Sequence, residues 1–349
     1  MNGHGGNADD FAIPGLIDFS SNINPFGPPD YALSAARAAL ARINRYPDAK
    51  QTGIRRSFSA WLGVDAEKLV FGNGASDLIP AIFAALAPSR VIVTYPTFSE
   101  YELRARSIGL PVLGVPSDPL RGFGFDIDGI EKILSRGDLL VICQPNNPTG
   151  VAWKTEEISR VAEACRVVGG YLLADECFIN LSHPRLPSCI PMTERRNTVV
   201  LRAITKDFSA PGLRVGFAIS HPDIARGIRE NLQTWPLNCV GESFAVACAG
   251  NPEPFLGASA LEIAALREKL FMDLSDLGFV PNAGHANFLL VRSGRESAEQ
   301  VFERALKRLV LIRKCENFPT LDGRYFRVAV KLGRDNASLL SSLASIADN

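Results

Sequence analysis

Leu139-Leu140-Val141-Ile142-Cys143 is followed by Gln144-Pro145-Asn146-Asn147-Pro148-Thr149-Gly150, then by an amphipathic stretch over Thr155 to Val168, then by Tyr171-Leu172-Leu173-Ala174 ending at Asp175. Short apolar runs of this kind read as strands buried on both faces. The stretch between them, apolar on one side at the helical period, reads as a covering helix. A strand, a helix of about a dozen residues and a second strand predict one unit of a parallel sheet.

The pattern extends outward from this unit. Upstream, Gln51 to Trp61, Ser76 to Leu86, Ser99 to Ile108 and Ile127 to Ser135 read as helices, and Arg90 to Val93 and Val112 to Val115 as strands. Downstream, Val199-Val200-Leu201 reads as another buried strand. After Ile219 the rhythm changes. Pro222 to Gln233 and Pro254 to Leu277 read as long helices, and Asn287 to Val291, Val310 to Arg313 and Tyr325 to Val330 as strands. The expected fold class is α/β, three layers around a mainly parallel central sheet, with a smaller α+β C-terminal domain. The expected boundaries are an N-terminal arm and helix over 1–45, packing with the small domain, a large domain over 46–235 and a small domain over 236–349.

Composition bounds the function. The 349 residues are 46% apolar, ample for a large core. Lys+Arg and Asp+Glu both number 37, so no global charge points to nucleic acid or an anionic membrane. The seven cysteines are scattered without a C-x-x-C or Cys/His cluster, so neither a disulfide framework nor a metal site is expected. No signal pattern opens the chain, and no apolar stretch approaches the roughly 20 residues of a membrane span. A cytoplasmic protein is expected.

In parallel sheets, ligands sit at the carboxyl ends of strands. Four groups fall there. Gly72-Asn73-Gly74-Ala75-Ser76-Asp77 precedes an apolar helix, whose first amides and Ser76 hydroxyl can hold a phosphate. Asn147 sits in a loop stiffened by two prolines. Asp175 ends its strand, where a carboxylate can keep a pyridinium nitrogen protonated. Lys206, in Thr205-Lys206-Asp207-Phe208-Ser209-Ala210-Pro211-Gly212-Leu213-Arg214, stands just past another strand, where an amine can condense with a carbonyl. An amine, a ring-nitrogen partner and a phosphate cradle together suit pyridoxal phosphate (PLP). Phe98, after a further strand, can stack on its ring.

On these residues, with Asn24-Pro25, Tyr46-Pro47-Asp48, Pro96-Thr97-Phe98 and Arg327, the chain resembles fold-type I PLP enzymes of the histidinol-phosphate aminotransferase branch over nearly its whole length. The resemblance implies that Lys206 carries the cofactor and Asp175 pairs with its ring nitrogen. It implies that Asn147 bonds the ring oxygen, Phe98 stacks, and Gly74, Ala75, Ser76, Thr205 and Arg214 serve the cofactor phosphate. Tyr46 matches a tyrosine that reaches the neighbouring subunit's cofactor, which implies a homodimer. Arg327 matches an arginine that grips the substrate carboxylate, and Arg313 a second pocket arginine.

His4-Gly5-Gly6-Asn7, with Asn22 beyond it, resembles the opening of the threonine-phosphate decarboxylases of this branch, which serve cobalamin assembly. There it implies an arm over the substrate phosphate, with His4, Gly5, Asn22, Asn147, Arg313 and Arg327 around the substrate. Phe178 replaces the tyrosine usual in the aminotransferases. Cys177, Pro236 and a short spacer between Asn7 and Asp18 depart from the decarboxylase pattern. The expected reaction is decarboxylation of a phosphorylated amino acid. Transamination, or another PLP reaction on a reused scaffold, is the alternative.

Overall fold

The computed structural model describes residues 5–347. Strand β1 (Ile17–Asp18) lies in the N-terminal arm. The central sheet takes β2 (Leu69–Gly72), β3 (Arg90–Tyr95), β4 (Val112–Pro116), β5 (Asp138–Cys143), β6 (Tyr171–Asp175), β7 (Thr198–Ala203) and β8 (Gly216–Ser220) in the order β2-β8-β7-β6-β5-β3-β4. Strands β7, β6, β5, β3 and β4 are mutually parallel, and β8 runs against both its neighbours. A parallel return needs a crossover helix. The β7–β8 link instead holds the one-turn helix Ile204–Asp207 that carries Lys206, so β8 comes back antiparallel.

The strands are apolar throughout because both faces are covered. Along β5, Leu140 and Ile142 face one core cluster while Leu139, Val141 and Cys143 face the other. The first cluster is closed by helices that include Thr52–Leu62 and Thr155–Val167, the second by Ala75–Leu86 and Glu100–Ser107. Register sets Cys143 beside Asp175, and Asp175 beside Leu201, so the chemically active strand ends stand side by side.

Several expectations are corrected. The strands Leu69–Gly72 and Gly216–Ser220 and the helix Cys239–Gly250 were not read from the sequence. That helix packs Phe244, Ala245 and Cys248 into the core under the large sheet, although it follows the expected boundary at 236. Ala32 and Ala36 of helix Asp30–Ala39 join the same core, so this part of the N-terminal segment packs on helix Cys239–Gly250. The helix expected to reach Gln233 ends at Glu230.

The C-terminal part adds β9 (Val280–Pro281), β10 (Phe288–Arg292), β11 (Val310–Leu311), β12 (Arg313–Lys314) and β13 (Tyr325–Ala329). An antiparallel sheet runs β12-β13-β10-β9. The single strand expected over Val310 to Arg313 divides at Ile312. Its first half pairs in parallel with β1, and its second half joins β13. The arm is thereby sewn to the small lobe, and the Ala329 amide donates to the Phe19 carbonyl (2.9 Å). Among the described residues no helix is long and apolar enough to cross a membrane.

Candidate active site

A cavity of about 430 Å³ opens where the strand ends, the arm and the small lobe meet. It is lined by Ala75, Ser76, Phe98, Asn147, Asp175, Thr205, Lys206, Arg214, Gly5, Asn22, Arg313 and Arg327, residues from segments spread over the whole chain. Gly74 stands just behind this lining. Tyr46 lies elsewhere, 78% exposed and stacked on Trp235 with ring centroids 4.2 Å apart. His4 lies outside the described residues.

The floor is made by the sheet. Asp175 is 4% exposed, and both its oxygens are held: the Tyr101 hydroxyl donates to Oδ2 (2.7 Å) and the Cys177 amide to Oδ1 (2.9 Å). Burial pushes its carboxyl above the usual range, and these bonds act against that push. Burial, aided by the charge of Arg327, pushes the Lys206 ammonium down to about 8. A neutral amine is the nucleophilic form, so the site raises the reactive fraction near neutral pH.

One end of the cavity suits a phosphate. Gly74 is the N-cap of helix Ala75–Leu86, has φ +86°, and caps with no side chain. The first-turn amides of this helix therefore face the cavity end without a side-chain cap. A Cβ at Gly74 would fall 2.4 Å from Arg214 Nη2, so only glycine lets the guanidinium close over the turn. Helix amides, the Ser76 and Thr205 hydroxyls and Arg214 form a donor set for an anion. With the Lys206 amine and the Asp175 carboxylate, they fit PLP.

The opposite wall belongs to the small lobe and the arm. Arg327 is buried, donates Nη1 to Asn147 Oδ1 (2.5 Å) and Nη2 to the Ser20 carbonyl (2.7 Å), and lies 5.3 Å over the Phe288 ring. Among the described residues its Nε has no partner. Burial pushes its guanidinium down to about 10. Arg313 stands directly across from it in the β12–β13 register and donates to Asn317 Oδ1 (2.6 Å). The arm passes over Ser20, where the Gly6 amide donates to Ser20 Oγ (2.9 Å), itself fixed on Asp18 Oδ1 (2.6 Å).

Sequence reasoning missed Tyr101, Cys143, Ser20 and Phe318 as lining residues. Tyr101 follows Phe98 by three positions, at the start of helix Glu100–Ser107. Phe178 packs edge-on against Phe288, centroids 5.2 Å apart, and offers the cavity no hydroxyl.

A strand-end lysine, a buried carboxylate and a helix-end phosphate cradle on this sheet define a PLP-dependent enzyme. The sequence matches the aminotransferase class I and II family over residues 14–342, and the chain belongs to that family. It is 32% identical to the threonine-phosphate decarboxylase of Salmonella typhimurium over 358 aligned positions, which span 98% of this chain and 96% of that one. It is 30% identical to a histidinol-phosphate aminotransferase of Desulfitobacterium hafniense, over 96% and 93% of the two chains. The crystal structure of the histidinol-phosphate aminotransferase from Clostridium acetobutylicum superposes with a TM-score of 0.90 at 29% identity, covering 96% of this chain and 100% of that one. PLP is the cofactor of this enzyme.

Proposed function

We propose that the enzyme decarboxylates a phosphorylated amino acid, L-threonine O-3-phosphate, to give (R)-1-aminopropan-2-yl phosphate, a precursor in cobalamin assembly. One observation carries the reading: Arg313 and Arg327 face each other across neighbouring strands at the cavity wall. Like charges placed so are unfavourable unless an anion lies between or beside them. A substrate with a carboxylate at one end and a phosphate at the other supplies two. The Salmonella relative, similar over almost the whole chain, supports the same substrate class.

PLP, when bound, supplies a sink for the electron pair left at the substrate's Cα. Lys206 anchors it, Asp175 keeps its ring nitrogen protonated, Phe98 stacks on the ring, Asn147 meets the ring oxygen, and Ala75, Ser76, Thr205 and Arg214, turned at Gly74, hold its phosphate. Arg327 grips the substrate carboxylate through a planar fork, with Asn147 and Ser20 fixing its plane. That grip sets which Cα bond stands perpendicular to the ring and breaks. Arg313, Asn22, Gly5 and His4 serve the substrate's far end. Lys206 Nζ, near 8, can return a proton to Cα after carbon dioxide has left.

Tyr46, exposed and stacked beside Trp235 on an open surface, suits a homodimer in which it serves the partner's site. The seven free thiols suit the cytoplasm. A second reading, amino transfer from histidinol phosphate, is favoured by the likeness to the Clostridium enzyme. Incubating the holoenzyme with each substrate, with 2-oxoglutarate present, separates the two. Carbon dioxide release from threonine phosphate without glutamate formation is expected. Robust glutamate formation from histidinol phosphate would establish the second reading in its place.

A further inference from the structure

We propose that Tyr101 is a positioning residue for Asp175, its hydroxyl and the Cys177 amide holding the carboxylate aligned and ionised beneath the cavity. Tyr101 is buried on helix Glu100–Ser107, and its hydroxyl donates to Asp175 Oδ2 (2.7 Å), with the Cys143 thiol beside it. Its ring meets Phe98 edge-on, with centroids 5.6 Å apart. A single short segment, from Pro96 to Tyr101, therefore delivers both a ring face to the cavity and the donor that fixes the carboxylate. The inference rests on Asp175 as the ring-nitrogen partner and not on the identity of the substrate.

The groups around Asp175 leave this task to Tyr101. Cys143 faces it from β5 and Cys177 from the loop after β6, and both are thiols, which are weak donors. Glu176, the next residue, is an acidic neighbour that raises the Asp175 carboxyl, and its own oxygens are engaged by Arg202, Ser188 and the Cys189 amide. Lys206 faces the same cavity. Tyr101 alone among these offers a strong side-chain donor to Oδ2. Burial and the Asp175 charge raise its hydroxyl far above the ordinary range, so it stays a donor across any working pH.

Removing the hydroxyl leaves one buried carboxylate oxygen without its partner. That raises the proton affinity of Asp175, so the ionised form is lost at a higher pH. A hydrogen bond to a charged group is worth roughly ten- to a hundredfold, equivalent to a shift of about one to two pH units. Tyr101→Phe keeps the ring and its packing, so the fold is retained, as melting of the apoprotein would report.

The test uses Tyr101→Phe, Asp175→Asn and the double variant. PLP dissociation constants are measured without substrate between pH 6 and 9, together with pH profiles of kcat and KM. Tyr101→Phe is expected to weaken PLP binding about tenfold at pH 6 and to move the acid limb of kcat up by about one unit. It should lower kcat with KM held within about twofold, because the hydroxyl meets the carboxylate and not the substrate. In the Asp175→Asn background the second substitution is expected to change neither PLP affinity nor kcat. An unmoved acid limb with unmoved PLP affinity, or an equal loss in that background, overturns the proposal. Full PLP affinity and full activity in Asp175→Asn itself would instead remove the cofactor assignment on which it stands.

Discussion

The two sides of the cavity are built differently. On the sheet side, both oxygens of Asp175 have donors, Asn146 is bonded on both ends of its amide, and Phe98 is fixed beside Tyr101. On the side of the arm and small lobe, two arginines face each other, and among the described residues neither Arg327 Nε nor the buried Asn22 Oδ1 has a partner. A buried polar group without a partner costs free energy, so such a set persists where a ligand completes it. On the sheet side the carboxylate is held in advance, and only the uncapped end of helix Ala75–Leu86 is left for the cofactor phosphate. In the proposed function the arginine side is completed by the substrate and selects the reaction.

The sharpest way to break this contrast is at the floor. Asp175→Asn keeps the shape and removes the charge. Loss of one preorganised electrostatic contact is expected to cost about 3–4 kcal/mol in the barrier, roughly a hundred- to a thousandfold in kcat. KM should change little, and PLP should bind at least about tenfold more weakly yet still saturate the site. Near-normal turnover would mean that the floor is not what activates the ring.

The wall should answer differently. Arg327→Gln keeps a donor but loses the fork and the charge. We expect kcat/KM to fall roughly thirty- to a hundredfold, carried mainly by KM, in line with losing a buried charged pairing. Steady-state kinetics would report it. A pure kcat loss would place Arg327 on the floor's side of the division.

The two sides also touch electrostatically, and pH reads that link. Burial first and the Arg327 charge second disfavour the Lys206 ammonium, so its folded value lies below the ordinary one. The neutral amine accumulates as pH rises through about 8, and the rate of PLP loading onto apoenzyme should rise with it. An ordinary lysine would place that midpoint near about 10.4. In Arg327→Gln the burial and the Arg214 charge still disfavour the ammonium but the Arg327 charge is gone, so the midpoint should move up. A midpoint that stays put would uncouple wall from floor.

The same division explains what the sequence made legible. Asn147, Asp175 and Lys206 follow strands whose apolar runs announce them, and Gly74 opens a helix, so local pattern found the floor. The wall is assembled from three segments far apart in the chain, Gly5 to Asn22, Arg313 and Arg327, and periodicity carries no such pairing. Only resemblance pointed to these arginines, and their opposition depends on the break at Ile312, which no turn residue marks. Helix Cys239–Gly250 was missed for another reason: small and apolar residues lie on most of its faces, so no amphipathic period stands out. Tyr101 was not singled out, because its hydroxyl's partner lies 74 residues away.

The finest probe is the arm. Gly5 lies so close to Ser20 that a Cβ there would fall 2.1 Å from the Ser20 carbonyl oxygen and 3.3 Å from Arg327 Nη2. The carbonyl is backbone, held by the Arg327 bond, so it cannot swing aside as a flexible side chain would. Gly5→Ala must therefore lift the arm, and the Gly6 amide leaves Ser20 Oγ with it. No floor residue is touched, so PLP affinity and kcat should stay within about twofold, while KM for threonine phosphate rises roughly three- to tenfold, the worth of about one net hydrogen bond. KM for an amino acid without a second anionic group should not move if the arm serves the far end of the substrate. Equal KM changes for both substrates would show that the arm acts on Arg327 itself, and a loss of PLP would show that it supports the floor.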